Sequence, residues 1–407
     1  MAFTRAGFRS NFQPMKKLIL VVAALVLHAL LAGEDKFALK CNDFAFKFYK
    51  TVLETRSNEN FVFSPVSVYG AGIFLCSGSS GETSKGLGAA LDLGDSAKDD
   101  LNGLEELANI VADIGKKRNC FFRLWDFAWM PDGCAPSKNF ADLANGVPWF
   151  SFGNADFSDP AQASRAIRGA LLKKSGNILK VADIEIPQGT SLAVQSFALF
   201  DGIWEVPFEL ENTEVRPFLP EVGRRLDALM MDSAGSVHKY YDYFKFEAAR
   251  LAYKGGRMSM VVLVPKGMYT FKNAVSTLDA EEFEYILKAM DAPDAPEASV
   301  TMPRFKLDGS PFSLKEPFAA LGAAAAFSPD ADFAPLSPAL KKARLGLLTH
   351  KAAISVNEKH AVSSESPPTF AGTRKRLVAN RPFIFFIVEN KSGMICFMGH
   401  VYDPSQR

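Results

Sequence analysis

Apolar residues recur at helical spacing from Phe37 to Leu53, which predicts an amphipathic helix near the start of the folded chain. A second helix is predicted to open at Ser64 and Pro65. Ser64 would be its N-cap and Pro65 its first residue, where the missing proline amide costs nothing. Strands dominate after this helical start. Continuous or alternating apolar runs at Phe121–Met130, Ser191–Phe200, Phe246–Tyr253, Met258–Val264 and Arg381–Val388 each read as a strand. Near the C-terminus, Pro382–Val388 and Met394–Val401 flank the turn-forming stretch Glu389-Asn390-Lys391-Ser392-Gly393, so a β-hairpin is expected. Its two arms are apolar at almost every position, which implies burial on both faces. Asn390-Lys391-Ser392 is formally a glycosylation sequon, but the stretch is read as a plain turn.

Composition adds little to that picture. The chain has 407 residues, 48% of them hydrophobic and 35 of them Phe, enough to fill one large core. No linker, charge block or repeat separates domains, so residues 34–407 read as one α+β domain. At its front, Lys16 and Lys17 precede an apolar run from Leu18 to Ala32 that ends in small residues. Residues 1–33 therefore read as a signal peptide, with Met15 as an alternative start, and the protein as secreted and extracellular. The run is shorter than the ~20 residues of a membrane-spanning helix.

Lys and Arg number 46 against 45 Asp and Glu, so no overall field draws the chain to nucleic acid or to a membrane, and neither is expected as a partner. A monomer is expected. Lys116, Lys117 and Arg118 form the densest basic cluster, read as a solvated surface rather than a polyanion site. The cysteines at 41, 76, 120, 134 and 396 are odd in number, which leaves at least one thiol without an intramolecular partner. Cys120 and Cys134 flank a strand-like run and a turn, which leaves a local bridge open. No metal and no cofactor is expected, because no two Cys or His stand at ligand spacing. Catalytic motifs are missing too. Gly78-Ser79-Ser80-Gly81 lacks nucleophile-elbow spacing, and there is no phosphate loop and no His-Glu-x-x-His, so the chain is not read as an enzyme.

Ordered short motifs point to a family. Asn60-Phe-Val-Phe-Ser64-Pro65-Val-Ser67, Phe200-Asp-Gly202-Ile-Trp204-Glu-Val-Pro207-Phe208, and Tyr253-Lys-Gly255 with Ser259-Met260 through Pro265 come first. Pro303-Arg-Phe305, Ala331-Asp332-Phe333, His350-Lys351-Ala352, Val356-Asn357-Glu358, Asn380-Arg-Pro382-Phe383 and Phe397-Met398-Gly399-His400 follow in the same order. The chain thus resembles the serpins over nearly its whole mature length. The resemblance implies three β-sheets, about nine helices and an exposed reactive loop, here about 358–380. In inhibitory members a protease cuts that loop, which then enters the central sheet as a new strand and drags the acyl-enzyme with it.

The same resemblance assigns candidate residues. Ser64, Ser67, Ser196 and His350 match the shutter, where polar side chains bridge the strands that part. Ser196 stands where the family usually has Asn, which would leave that network incomplete. Plainer readings are a helix cap for Ser64 and a hydrogen-bonded core residue for His350. Trp204 matches the breach, or is core packing. The hinge is Glu358, Lys359, His360, Ala361, Val362, Ser363, Ser364 and Glu365. Counting from Glu358 places the scissile bond after Arg374. Lys375 and Arg376 are alternatives if the shortened loop shifts register, and all three suit a trypsin-like serine protease.

The hinge departs from the inhibitory pattern. Ala361, Ser363, Glu365 and Pro367 would share the buried face of an inserted strand. Burying Glu365 unpaired would cost several kcal/mol, roughly. Pro367 and Pro368 would each remove a ladder donor from a central strand. Covalent trapping is therefore expected to be weak, and a non-inhibitory binding, carrier or storage serpin is the alternative.

Overall fold

The computed structural model describes residues 37–93, 97–116, 119–179, 181, 184–233, 236–358 and 375–406, with backbone alone for 97–102 and 116. The expected signal peptide, Lys117 and Arg118 of the basic cluster, and residues 359–374 of the expected reactive loop lie outside the described residues. Nine α-helices occur among those described. They are α1 (37–56), α2 (Pro65–Ser77), α3 (Gly81–Leu91), α4 (Ala97–Lys116), α5 (Lys138–Asn145), α6 (Pro160–Lys174), α7 (Phe271–Val275), α8 (Ala280–Asp291) and α9 (Lys315–Ala320).

One sheet has six strands: β2 (Cys120–Pro131), β3 (Phe150–Ala155), β4 (Leu192–Gly202), β11 (Phe305–Leu307), β12 (Phe312–Ser313) and β13 (Leu345–Val356). Its order is β11-β13-β4-β2-β3, with β12 also on β13. The other strands link into a ten-stranded assembly. Part of it contains β1 (Phe61–Phe63), β7 (His238–Asp242), β8 (Phe246–Ala252), β9 (Met258–Pro265), β15 (Phe383–Glu389) and β16 (Ile395–Val401). The rest is β5 (Glu214–Phe218), β6 (Leu226–Asp232), β10 (Glu297–Pro303) and β14 (Lys375–Val378). The Glu297–Lys239 and Ala298–His238 pairs join these two parts across β10 and β7. The three sheets implied by the sequence are therefore present, two of them hydrogen-bonded end to end.

The β15–β16 hairpin is buried at every position, as its unbroken apolar runs require. Its turn is closed by Glu389, whose carboxylate accepts from the Lys391 and Ser392 amides, and by Gly393 at φ 72°. Asn390 is built into the same turn, donating to Gly256 O at 2.9 Å and accepting from Arg250 at 2.7 Å. Helix α2 is apolar on all sides and buried from Pro65 to Leu75, the pattern of a central helix. It lies against the inner face of the six-stranded sheet, where Phe74 stacks on Phe150 of β3 at 4.0 Å. Helix α6 covers the outer face, packing Ala163, Ile167 and Leu171 with Phe127, Trp129 and Phe197. Asp159 caps it by accepting from the Ala161 and Gln162 amides, with Pro160 opening the first turn.

The Cys120–Cys134 bridge is ruled out by geometry. Cys120 opens β2 and Cys134 follows its end, so ~3.3 Å per residue over the strand holds them far beyond disulfide reach. None of the five cysteines is in a disulfide.

Candidate functional site

Four register pairs line up a single row across the six-stranded sheet. Phe150 of β3 faces Asp126 of β2, Asp126 faces Ser196 of β4, Ser196 faces His350 of β13, and His350 faces Phe312 of β12. Paired positions point to the same face, here the one lying on α2. The ~4.8 Å between strands nearly matches the rise of three helical residues. Ser64 and Ser67 consequently meet neighbouring strands.

The Ser64 amide donates to His350 Nε2 at 3.0 Å, which makes that nitrogen an acceptor and puts the ring proton on Nδ1. Nδ1 then donates to Ser196 Oγ at 3.0 Å, and Ser196 and Ser67 share a 2.6 Å hydroxyl contact. Burial lowers the His350 pKa to about 3, consistent with the neutral ring that this pattern needs. Ser64 occupies the N-cap position of α2 but does not cap it. Its hydroxyl donates instead to Cys396 O of β16 at 2.7 Å, tying the helix start to the second sheet. The expected break at Ser196 does not occur: a serine hydroxyl reaches both Ser67 and His350, so the four predicted residues form one connected network. All four are fully buried.

Asp126, not singled out from sequence, belongs to the same row and is also fully buried. Trp149 Nε1 donates to its Oδ2 at 3.1 Å, while Oδ1 has no hydrogen-bond partner among the described residues. Desolvation pushes its pKa up to about 8, against the opposing hydrogen-bonding pull of Ser196, Trp149 and Ser67. One signal in the sequence did mark it, a single acid inside the largely apolar run of β2.

Trp204 lies at the end of the sheet from which the loop leaves. Its Nε1 donates to Asn357 O at 2.9 Å, and its ring stacks on Tyr253 at 4.4 Å. It both packs in the core and clamps the residue before Glu358. Glu358 itself accepts from Arg304 at 2.5 Å and Thr213 Oγ1 at 2.7 Å. Partial burial works to raise its pKa, but the bonds from Arg304 and Thr213 prevail and hold it below the ordinary value. The other hinge residues, Lys359 to Glu365, and Arg374 lie outside the described residues.

Lys375 and Arg376, named as loop-tip candidates, lie instead in β14, paired in parallel with Ala298 and Ser299 of β10. Arg376 is bound to the Asp232 carboxylate, and its Nε donates to Thr301 Oγ1 at 3.1 Å. A paired backbone cannot enter a protease cleft in extended form, so a bond after Arg376 is poorly placed for cleavage. Among the described residues no group of His, Cys, Asp or Glu is arranged to hold a metal ion, and no helix is long and apolar enough to cross a membrane.

The arrangement of helices and sheets agrees with what comparison finds. The serpin (serine protease inhibitor) family profile matches residues 39–404, and the chain belongs to that family. Serine protease inhibitor 2 of Anopheles gambiae is 25% identical, over 95% of this chain and 98% of its own length. The human protein Z-dependent protease inhibitor is 28% identical, over 92% of this chain and 84% of its own. Among solved structures, the mouse protein Z-dependent protease inhibitor superposes with a TM-score of 0.81 at 21% identity, covering 91% of this chain and 98% of that one. The thermophilic serpin tengpin in its native state gives 0.79 at 23% identity, covering 91% and 94%. The fold is therefore the serpin fold, and the chain is a member of an inhibitor family rather than an enzyme.

Proposed function

We propose that this chain is a secreted serpin that offers Arg374 to a trypsin-like serine protease and is mostly released cut, with covalent trapping inefficient. The observation that supports an insertion-based mechanism is the direct parallel pairing of β4 with β13 from Leu192–Leu345 to Phe200–Ile354. The place a cleaved loop would take is closed, and the polar row on α2 holds it closed. Arg374 is preferred because Lys375 and Arg376 are committed to β14. Secretion is supported by the basic and apolar leader, Lys16 to Ala32.

Inefficient trapping follows from the hinge sequence. Glu365 would enter the sheet as an unpaired carboxylate, and Pro367 and Pro368 would interrupt its ladder. A serpin traps only if insertion outruns deacylation of the protease. The same residues favour a second reading, a non-inhibitory serpin that binds, carries or stores a partner.

The test is incubation with trypsin, followed by denaturing electrophoresis and mass mapping of the cut. Cleavage after Arg374 with only a faint adduct band is expected. A dominant SDS-stable adduct would overturn inefficient trapping, and a cut confined to another residue would overturn Arg374.

A further inference from the structure

We propose that Asp126 is a proton-controlled member of the shutter, neutral while the sheet is closed and, once ionised, a buried charge that favours sliding of β2 and β4 over α2. The geometry carries this. Asp126 sits in the row beside Ser196, the residue that meets both His350 and Ser67. Its Oδ2 is served by Trp149, but Oδ1 is served by nothing described. The reason lies in α2. Ser64 and Ser67 supply polar groups over β13 and β4, and the Ser67 and Ser196 hydroxyls near Asp126 are engaged with each other and with His350, while Gly70 and Ala71, one turn further along, bring no side-chain donor to Oδ1. A fully buried oxygen that accepts no hydrogen bond stabilises a negative charge poorly, whereas a protonated carboxyl needs less help.

The groups facing Asp126 carry no charge: Ser196 from β4, Ser67 from α2 and Trp149 from the segment entering β3. The next titratable residue along the row is His350, itself held neutral. Arg123 and Lys174 do not compensate, for Arg123 alternates to the outer face of β2 and Lys174 sits over Phe127 and Trp129 on that face. Opening the sheet would admit water to Asp126, so ionisation and opening favour one another.

The sign follows from the raised folded value. The unfolded aspartate titrates near ~3.9 and the folded one at about 8. The stability contributed by the neutral form is fully present below the former and lost as pH rises through the latter. Between them the folding equilibrium shifts by up to about tenfold per pH unit.

The charge state is independent of any protease, but its use in loop uptake rests on the reading above. The experiment therefore has two arms. Infrared difference spectra of protein carrying isotope-labelled aspartate should show a protonated carboxyl band at pH 6 that titrates near 8. In Asp126→Asn that band should be gone, and the difference in stability between variant and wild type should grow with pH from 5 to 8. A carboxylate already ionised at pH 6, or equal pH slopes for the two proteins, overturns the proposal. Should Asp126→Asn fail to fold, the wild-type titration decides. In the second arm, a synthetic peptide of residues 359–372 with Ala in place of Glu365, Pro367 and Pro368 should enter the sheet several times faster at pH 9 than at pH 6, and at a pH-independent rate in Asp126→Asn. Uptake of equal rate at both pH values in wild type overturns the coupling to opening. No uptake at any pH, with the infrared titration intact, overturns the insertion reading and leaves the charge assignment standing.

Discussion

The guanidinium of Arg376 is bound to the carboxylate of Asp232, on β6, and this contact fixes the strand that follows the reactive loop. Thr301 of β10 and Arg216 of β5 complete the cluster, so four strands converge on one acid. Arg376 is thus anchored in β14, where the sequence alone kept it as an alternative to Arg374 for the bait.

Arg376→Ala should loosen β14 without moving the cut. Asp232 is mostly buried but Arg376 is half exposed, so the expected loss of stability is about 1 kcal/mol. Denaturant unfolding measures that loss, and peptide mapping after trypsin should still find cleavage after Arg374.

His350→Ala removes the acceptor of the Ser64 amide and a donor to Ser196, both buried. Each orphaned group costs ~1–3 kcal/mol, and a cavity adds to that, so a loss of roughly 3 kcal/mol or more is expected. The wild-type ring titrates near ~6.5 when unfolded and at about 3 when folded. Its stabilisation is present above the former and lost as pH falls through the latter. Melting temperatures between pH 3 and 7 should fall less steeply with acidification in the variant.

Glu358→Gln tests the loop base. The pair with Arg304 is partly exposed, so a loss of about 1 kcal/mol or less is expected at neutral pH. Because the folded carboxyl lies below its ordinary value, this stabilisation is present above the unfolded pKa of ~4.3 and disappears as pH falls through the folded one. Urea titrations at pH 7 and pH 3 should show a difference between the proteins only at the higher value.

Glu365→Ala combined with Pro367→Ala and Pro368→Ala restores small residues that can donate to a ladder and be buried at no electrostatic cost. Densitometry of trypsin digests should show the adduct rising from a trace to a substantial fraction.

Much of this was legible in the chain. The β15–β16 hairpin and α2 follow from unbroken apolar runs and from Pro65, and the serpin motifs located Ser64, Ser67, Ser196, His350 and Trp204 before any coordinates. What stayed hidden depends on register. Nothing local to β2 says that Asp126 will face Ser196, because that pairing joins segments 70 residues apart. The capping role expected of Ser64 gave way to Cys396, since the hydroxyl donates to that strand's carbonyl and makes no bond to the helix amides. Lys375 and Arg376 read as a solvated loop tip because their anchors, Ala298 to Thr301 and Asp232, lie far away in sequence.

The most direct measurement is the melting temperature before and after a single cut at Arg374. A cleaved loop that stays out of the sheet leaves β4 paired with β13, so little gain in heat stability is expected. A large gain, with the cut protein staying folded well beyond the transition of the intact one, would mean that the loop inserts despite Glu365, Pro367 and Pro368, and would contradict the account of an impaired hinge.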